Sequence, residues 1–445
     1  MKRSLVLAGG GMRVAWQTGV VRALYEAGLD FHHVDGTSGG ILTTAMLLSG
    51  QQPAEMGIRW STLDVSGFSS PLPLADYLRG PWALPAFGDA DGILRKVFPH
   101  LGIDIETIRE SPVDGTFNMV DFVTKTCHAV PHTDIDAPLL AAGMSLPLLT
   151  APLKRSGRVW TDAVWVKDAN LTEALRRGAD EIWLIWCIGN SPYWGDGPLE
   201  QYVHMIEMSA NGALFAELDA AAAAGRSYRL HVVKPHHPLP LDPQFFAGRI
   251  SADTLVAMGY RDATDYLDAR TADGLPHDTN CTRMVEPAEG VRFRERLEGD
   301  IAGSRFGLDV TVELPLPEDE SRSTARLVGH VDYEPWGGRV LLAHGVLEGN
   351  SSGVTYTADA YVAGEWRTIR ASRELIDDRG FDAWRDATTV NLSAGPDCAG
   401  HLRLSVAEAA RLLASVEPFG VHGLRDRERV LARLGKAAIR RLLAM

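Results

Sequence analysis

The pattern of apolar and polar positions changes once along the chain, near residue 272. Before that point, short apolar runs typical of buried strands alternate with longer runs in which apolar residues recur every three to four positions. After it, apolar and polar residues alternate almost one by one, as in half-buried strands. The pattern therefore predicts an α/β domain with a mostly parallel sheet over residues 1–272 and a β-rich domain over residues 285–445.

The first predicted domain begins with two strand–helix units. The pattern then continues as strand, helix, strand pair, helix, strand, helix and strand. The predicted strands are 4–8, 31–35, 117–130, 181–188 and 228–233, with two more strands within 148–166 that are joined at Ser156-Gly157. The predicted helices are 14–27, 39–49, 139–144, 171–178 and 199–224. Residues 239–266 are expected to pack back on this domain, with Phe245, Phe246 and 255–258 as apolar anchors.

Residues 50–113 interrupt the alternation of strands and helices. This stretch is rich in proline and contains only short helical patterns, at 92–98 and 103–110. An insertion at this place is positioned to cover whatever site the preceding turn carries. A lid and a plain surface excursion are both compatible with its length.

The second predicted domain consists of short strands separated by turn-forming residues. The predicted strands are 308–314, 325–333, 339–347, 354–362, 366–371 and 388–392. A terminal helix over 424–445 carries seven basic and two acidic residues, with leucines at helical spacing. It is either a helix that lies on an anionic membrane surface or a helix docked on its own domain with a solvated basic face. We prefer the docked interpretation, because such helices are common in globular proteins.

Composition narrows the class of protein. A net charge of −13 over 445 residues argues against a nucleic-acid-binding protein that relies on overall charge. The cysteines are scattered without metal-ligand or disulfide spacing, at Cys127, Cys187, Cys281 and Cys398. The N-terminal apolar run is shorter than a signal peptide requires, and no run is long enough to span a bilayer. We therefore expect a cytoplasmic protein without a metal or cofactor.

The candidate chemistry begins at the turn Gly36-Thr37-Ser38-Gly39-Gly40. It follows a predicted strand and precedes a predicted helix, so Ser38 would sit at the tip of a sharp turn. Side chains at Gly36 and Gly40 would collide with the neighbouring strand and helix. The N–H groups at the start of the helix can also stabilise negative charge. The alternative is a plain turn with a solvated serine, because Gly-x-Ser-x-Gly alone is a common pattern.

A second glycine-rich turn, Gly9-Gly10-Gly11, lies between the first strand and the first helix. Contiguous glycines leave backbone N–H groups exposed and able to bind an anion. A dinucleotide-binding loop would need glycines at different spacing, so that interpretation is discounted. The remaining interpretation is an oxyanion hole one strand away from Ser38.

Together these two motifs resemble those of the patatin-like phospholipases. That family carries Gly-Gly-Gly-x-Arg/Lys after its first strand and Gly-x-Ser-x-Gly further on, here 9–13 and 36–40. Its catalytic aspartate follows a stretch of small residues before a proline, here 142–147, and the matching residue is Asp162. This chain has Ala163 where the family has glycine after the aspartate. The resemblance covers about residues 1–270 and implies a three-layer α/β/α fold.

The resemblance also implies a mechanism and a substrate. Ser38 would be the nucleophile and Asp162 its general base, with no histidine and no cofactor, and the substrate would be a lipid ester. The N–H groups of the loop would form the oxyanion hole, at Gly9, Gly10, Gly11 and Met12. Arg13 would either bind a phosphate head group or brace the loop through a salt bridge.

Other assignments stay open at this stage. Asp168 is the alternative base if Asp162 is misaligned, whereas His32 and His33 lie on the strand before the turn and are interpreted as structural. Transfer of the acyl group to an alcohol would use the same residues as hydrolysis. A non-catalytic lipid-binding protein on this fold is a further alternative, which Ala163 favours and Ser38 opposes. Peripheral contact with a membrane is expected if the substrate is a membrane lipid.

The second domain has a resemblance of its own. Residues 293–415 are similar to an accessory β domain found beside sterol- and lipid-handling oxidoreductases. The similarity rests on three segments, 356–361, 364–366 and 384–389. It implies a lipid context for the chain and no chemistry.

Overall fold

The structure is a computed structural model that divides the chain into two units, Met1–Val285 and Glu286–Met445. It describes residues 1–68, 70–240, 250–316, 323–350, 353–374, 388–395 and 398–443. The predicted anchors Phe245 and Phe246 lie outside the described residues, as do positions 384–387 of the accessory-domain pattern. The predicted linker around 272–280 lies within the first unit, where Leu275 N–H donates to the carbonyl of Leu230 at 2.7 Å.

The first unit contains ten strands and ten α-helices among its described residues. The strands are β1 (Arg3–Leu7), β2 (His33–Thr37), β3 (Ser70–Pro71), β4 (Gly88–Asp89), β5 (Asp114–Asp121), β6 (Thr126–Pro131), β7 (Leu153–Arg155), β8 (Arg158–Asp162), β9 (Glu181–Ile185) and β10 (Arg229–Val233). The helices are α1 (Ala15–Glu26), α2 (Gly40–Leu48), α3 (Pro53–Thr62), α4 (Leu74–Tyr77), α5 (Phe98–His100), α6 (Ile105–Arg109), α7 (Ala137–Ala142), α8 (Leu171–Arg176), α9 (Pro198–Ala223) and α10 (Ala252–Ala269).

The main sheet has the order β10-β9-β1-β2-β5-β8-β7, and β6 also pairs with β5. The five strands from β10 to β5 are parallel, whereas β8, β7 and β6 add antiparallel pairings. The predicted mostly parallel α/β sheet is therefore confirmed. The prediction of one long strand over 117–130 is wrong: the chain reverses after Asp121, and Lys125 takes a positive φ of 60° in the turn.

Helices cover both faces of the sheet. On one face, Val6 and Ala8 share a buried cluster with Leu214 and Leu218 of α9. Successive strand residues point to opposite faces, so Leu5 and Leu7 face the other layer. Tyr266 of α10 packs edge-on against Trp183 there, with ring centroids 6.0 Å apart.

Residues 50–113 form a chain of short elements outside the main sheet. After α3 come the two-residue strands β3 and β4 paired with each other, the single turn α4, and a 3-10 turn over Pro81–Ala83. Gly88 of β4 also bridges to Thr150, in the loop that leads from α7 to β7. The insertion is thereby tied to the segment that precedes Asp162.

The second unit is a closed antiparallel β-barrel. Its strands are β11 (Gly290–Ile301), β12 (Ser304–Pro315), β13 (Ser323–Tyr333), β14 (Gly338–Asn350), β15 (Gly353–Val362), β16 (Glu365–Glu374), β17 (Thr389–Ser393), β18 (Ala399–Arg403) and β19 (Glu417–Phe419). Strands β12 to β18 follow one another in space, and β11 pairs with both β18 and β12, which closes eight strands. The predicted β-rich domain is confirmed, and β11, β18 and β19 are strands that the sequence pattern did not predict.

The described residues of the second unit also include two helices, α11 (Val406–Ser415) and α12 (Leu424–Leu443). In α12, Val430 is fully buried, and both Arg429 and Arg433 pair with Glu289 at the start of the barrel. These contacts agree with the docked interpretation of the basic helix. No helix within the described ranges has both the length and the apolarity needed to cross a bilayer.

Candidate active site

Ser38 stands at a strained turn between β2 and α2. Its φ of 52° lies in the left-handed region, which costs a non-glycine residue about 1–2 kcal/mol. The flanking glycines are needed for space: a Cβ on Gly36 would lie 2.4 Å from Thr44 Oγ1, and one on Gly40 would lie 2.2 Å from the carbonyl oxygen of Leu7. The sequence therefore forces the serine to the tip of a tightly packed elbow.

Asp162 reaches the level of Ser38 through strand register. Thr37, the last residue of β2, pairs with Asn118 of β5, and the next residue, Met119, pairs with Asp162 at the end of β8. The small-residue stretch before β7 fixes this end, because the Ser145 carbonyl accepts hydrogen bonds from Asp162 N–H at 3.2 Å and from Thr161 Oγ1 at 2.6 Å.

The Asp162 carboxyl group is buried, and its surroundings favour the neutral, protonated form. Burial raises its pKa to about 7, against smaller lowering effects from the Ser38 hydroxyl and from the Val164 and Ala163 N–H groups. Its Oδ1 accepts the Val164 N–H at 2.8 Å, whereas Oδ2 has no hydrogen-bond partner among the described residues. The oxygen Oδ2 is therefore available to receive a proton.

The departure from the family motif at Ala163 leaves the turn intact. Ala163 does not adopt a positive φ, so the position does not require glycine. The residue is fully buried, and the Val164 N–H still closes the turn onto Asp162.

The glycine loop faces Ser38, but its members differ in what they can donate. Gly9 N–H already donates to Asp168 Oδ1 at 2.9 Å, so in this conformation Gly9 does not offer the oxyanion donor that the sequence predicted. No described residue accepts a hydrogen bond from the N–H groups of Gly10 and Gly11. Gly11 has a φ of 60°, which favours glycine. Met12 is the second residue of the 3-10 turn Gly11–Val14 and is buried.

Asp168 lies against the nucleophile loop. A Cβ placed on Gly9 would be 2.5 Å from Asp168 Oδ1 and 2.8 Å from Ser38 Cβ, so the three residues meet at one point. Burial raises the pKa of Asp168 well above its usual value, and the nearby Asp162 charge adds to the rise. Its Oδ2 also has no partner within the described ranges. The sequence offered Asp168 as the alternative base, and the structure places it beside the loop with one oxygen committed to Gly9.

Arg13 braces the loop. Its Nε donates to the Gly10 carbonyl at 3.0 Å, and its charge partly offsets the rise that burial causes in the pKa values of Asp168 and Glu207. This contact fits the bracing interpretation, while the side chain stays partly exposed. Its binding to a head group stays a prediction.

A buried polar network supports the elbow from below. His33 bonds to Ser4 Oγ and Thr116 Oγ1 through its two ring nitrogens, at 3.1 and 2.8 Å, and burial lowers its pKa to about 4. Thr116 Oγ1 and Asn118 Nδ2 in turn donate hydrogen bonds to the Asp35 carboxylate. Burial raises the pKa of Asp35 to about 7. Both ring nitrogens of His33 are therefore engaged in hydrogen bonds below the turn, which agrees with the prediction that His33 is a structural residue.

Two supporting residues carry a signal that the sequence analysis did not use. Gln17 donates to the Ala8 carbonyl at 2.6 Å and accepts from Thr43 Oγ1 at 3.0 Å, which joins the glycine loop to α2. Cys187 Sγ donates to the Gly9 carbonyl at 3.0 Å. The signal for Gln17 is a long polar side chain among the mostly apolar buried residues of α1.

The side chains of Ser38 and Asp162 are buried, and one tyrosine lies close to Asp162. Ser38 is 4% exposed and Asp162 is 1% exposed, so a substrate has to displace neighbouring groups to reach the hydroxyl. Tyr202 of α9 is close enough to Asp162 for that charge, together with burial, to raise its pKa to about 12. Its hydroxyl donates to the Pro147 carbonyl at 2.9 Å. The loop 145–150 therefore lies between α9 and the site.

A comparison with known families identifies the first part of the chain. Residues 5–175 match the family model described as patatin-like phospholipase, so this part of the chain is similar to that family. The match contains both glycine motifs, Asp162 and Asp168. No curated protein matches the sequence. The patatin-like phospholipases are a family of lipid acyl hydrolases, and the resemblance noted in the sequence is confirmed over residues 5–175.

The match ends before the barrel, and no metal site accompanies it. The described parts of the chain contain no group of three or more His, Cys, Asp or Glu side chains arranged to hold a metal ion. Residues 176–445 lie outside the matched range.

Proposed function

We propose that this protein hydrolyses carboxylic esters of lipids, with Ser38 as nucleophile and Asp162 as its direct general base. The observation that carries the proposal is the arrangement of Ser38 and Asp162. A strained serine faces a buried aspartate whose free oxygen Oδ2 belongs to a carboxyl group with a pKa near 7. A carboxylate of ordinary pKa would be a poor base at neutral pH, and burial corrects that mismatch.

The first half-reaction forms an acyl-enzyme. Ser38 Oγ attacks the ester carbonyl carbon while its proton passes to Asp162, and the carbonyl oxygen becomes an oxyanion held by the N–H groups of Gly10 and Gly11. The C–O bond to the alcohol then breaks, and Asp162 returns the proton to the leaving oxygen. Each oxyanion donor contributes about 3 kcal/mol to the transition state.

The second half-reaction releases the acid. Water attacks the acyl carbon and gives a proton to Asp162, the bond to Ser38 Oγ breaks, and that oxygen recovers the proton. The net change is ester plus water to acid plus alcohol. Catalytic hydrogen bonds are often loose in the free enzyme, which is consistent with an Asp162 Oδ2 that has no partner before substrate binds.

The substrate is proposed to be a phospholipid or lysophospholipid. The support is the family description of residues 5–175 together with the partly exposed Arg13 at the glycine loop, which can face a phosphate. An assay with phosphatidylcholine and lysophosphatidylcholine, followed by identification of the released acids, tests this assignment.

The test of the mechanism uses four proteins: wild type and the variants Ser38→Ala, Asp162→Asn and Asp168→Asn. We expect wild type to hydrolyse p-nitrophenyl butyrate and to be labelled by a fluorophosphonate probe. Ser38→Ala and Asp162→Asn should lose at least about 10⁴-fold in kcat/KM, and Asp168→Asn should keep most of the activity. An active Asp162→Asn with an inactive Asp168→Asn would assign the base to Asp168. A wild type that neither labels nor hydrolyses any ester would support the non-catalytic lipid-binding alternative.

A further inference from the structure

Large apolar side chains are exposed on two segments that meet near the candidate active site. One segment is the inserted stretch 70–90, and the other is the loop before β7. We call their exposed apolar residues the apolar rim: Leu74, Leu78, Trp82, Phe87, Leu148 and Leu149. Single exposed apolar residues are normal on a protein surface, whereas a cluster of them marks an interaction site.

Hydrogen bonds join the two segments into one surface. Phe87 N–H donates to the Leu148 carbonyl at 2.9 Å, and Gly88 N–H donates to the Leu149 carbonyl at 3.0 Å. Tyr77 Oη donates to the Phe87 carbonyl at 2.7 Å, which fixes the end of α4 to the same place. The rim is therefore a connected surface held by backbone and side-chain hydrogen bonds.

The rim lies beside the segment that holds Asp162 in place. Its loop members follow directly after Ser145 and Pro147, whose carbonyls accept hydrogen bonds from Asp162 N–H and from the Tyr202 hydroxyl. An acyl chain that leaves the surroundings of Ser38 through this loop would emerge between the rim residues.

The rim residues are exposed in a way that internal packing does not explain. Trp82 is 99% exposed and lies in the 3-10 turn Pro81–Ala83, and Leu78 is 79% exposed and directly follows the single turn α4. Leu148 is exposed and also holds a φ of 77°, a conformation that a leucine rarely adopts. Strained backbone that exposes an apolar side chain is retained where the surface has a function.

We infer that the apolar rim inserts into the surface of a zwitterionic phospholipid bilayer and thereby presents membrane esters to Ser38. The inference rests on the proposed ester hydrolysis for its purpose. The stretch 70–96 carries three acidic and three basic residues, so it has no net charge to select anionic lipid. Its exposed ions neutralise each other in pairs, Asp76 with Arg79 and Asp91 with Arg95. A tryptophan beside leucines suits the boundary between head groups and acyl chains.

The charge pattern separates this surface from the basic helix α12. Binding through the rim is driven by apolar burial, so it should occur on phosphatidylcholine and persist in high salt. Binding through a basic helix would need anionic lipid and would weaken as salt screens the charges. Lipid composition and ionic strength therefore distinguish the two surfaces.

The experiment uses the full chain in a co-sedimentation assay at 0.1 and 0.5 M salt, with vesicles of phosphatidylcholine alone and with vesicles that also contain phosphatidylserine. The rim variant is Leu78→Ser with Trp82→Ser. The matched control is Val406→Ser with Leu413→Ser on α11 of the barrel unit, where the two side chains are 70% and 73% exposed. Hydrolysis is measured in parallel on vesicle phosphatidylcholine and on the soluble ester p-nitrophenyl butyrate.

We expect wild type and the control variant to bind the vesicles equally at both salt concentrations. The rim variant should bind at least about tenfold more weakly, because two large apolar side chains no longer leave water. It should lose vesicle hydrolysis in proportion while keeping its turnover of the soluble ester.

Several outcomes would overturn the inference. They are equal vesicle binding by wild type and the rim variant, equal loss in the rim and control variants, or binding that requires anionic lipid and disappears at 0.5 M salt. A wild type that dimerises in sedimentation velocity while the rim variant is monomeric would assign the rim to contact between two copies. Soluble-ester turnover without vesicle binding would reject the rim and keep the proposed function. Rim-dependent vesicle binding without any ester turnover would keep the rim as a membrane-binding surface and reject the proposed function.

Discussion

Each of the two units buries carboxylate groups, but the units differ in how many of the carboxylate oxygens have a hydrogen-bond or ion-pair partner. In the barrel, Glu295 lies inside β11, and both of its oxygens are bonded, one to Arg373 at 2.7 Å and the other to the Tyr356 hydroxyl. In the first unit, Asp162 and Asp168 each keep one buried oxygen without a partner in the described ranges. A satisfied buried charge stabilises a particular packing, whereas an unsatisfied one is costly and is retained where chemistry uses it.

The same difference appears in the backbone around each site. The first unit holds Ser38 in the left-handed region between glycines that have no space for a side chain. Glu295, by contrast, lies in the middle of a long regular strand that pairs continuously with β12. The comparison predicts that mutations at Glu295 affect stability, and that mutations at the elbow affect activity at little cost to stability.

The largest expected effect on stability comes from the barrel carboxylate. Glu295→Gln leaves the Arg373 charge buried without its counter-ion, so the free energy of unfolding of the barrel should fall by about 3–5 kcal/mol. Denaturant unfolding followed by tryptophan fluorescence measures the change, and Asp162→Asn serves as the comparison because it removes a charge that has no counter-ion. An equal loss in both variants would break the comparison.

The pH dependence of stability should reveal Asp162. Its pKa is about 7 in the fold and about 3.9 when unfolded, so the native state holds the proton more tightly. The contribution is fully present below pH 4 and is lost as pH rises through 7, by up to about 4 kcal/mol. Between pH 4 and pH 8, the free energy of unfolding should decline less in Asp162→Asn than in wild type. Parallel curves for the two proteins would show that the carboxyl group titrates normally.

The pH dependence of activity should run in the opposite direction. In the proposed mechanism Asp162 is a base only when ionised, so kcat/KM for a neutral ester should rise with pH and level off above about 7. At pH 5 it should be about 100-fold below the plateau, since each pH unit below the pKa costs about tenfold. The profile of p-nitrophenyl butyrate hydrolysis tests this. A plateau that extends down to pH 5 would mean that the base has an ordinary carboxyl pKa.

The smallest effect concerns strain at the nucleophile. Ser38→Gly relieves a φ of 52° that Ser38→Ala keeps, so the glycine variant should be more stable than the alanine variant by about 1 kcal/mol. Both variants lack the hydroxyl and should be equally inactive, which makes them a matched pair. Thermal unfolding of the two proteins measures the difference, and equal melting temperatures would show that the turn relaxes around alanine.

Local sequence determined the parts of the molecule that depend on neighbouring residues. The glycines at 9–11 and 36–40 predicted both turns, because a positive φ or a close backbone approach permits few other residues. The change from helical to alternating patterns predicted an α/β unit followed by a β unit. Asp162 was assigned through the family resemblance, since nothing in its local pattern distinguishes it from Asp168.

Tertiary structure decided what depends on distant partners. The turn that splits 117–130 into β5 and β6 contains no glycine or proline, so the local pattern did not reveal it. Strand β11 was not predicted, because it places Glu295 on its buried face, and the residue that makes this burial tolerable, Arg373, lies 78 positions away. The pKa of Asp162 and the unpartnered oxygens of both aspartates likewise follow from burial by strands and helices far along the chain. Sequence patterns record local backbone geometry, whereas burial and charge pairing are properties of the assembled fold.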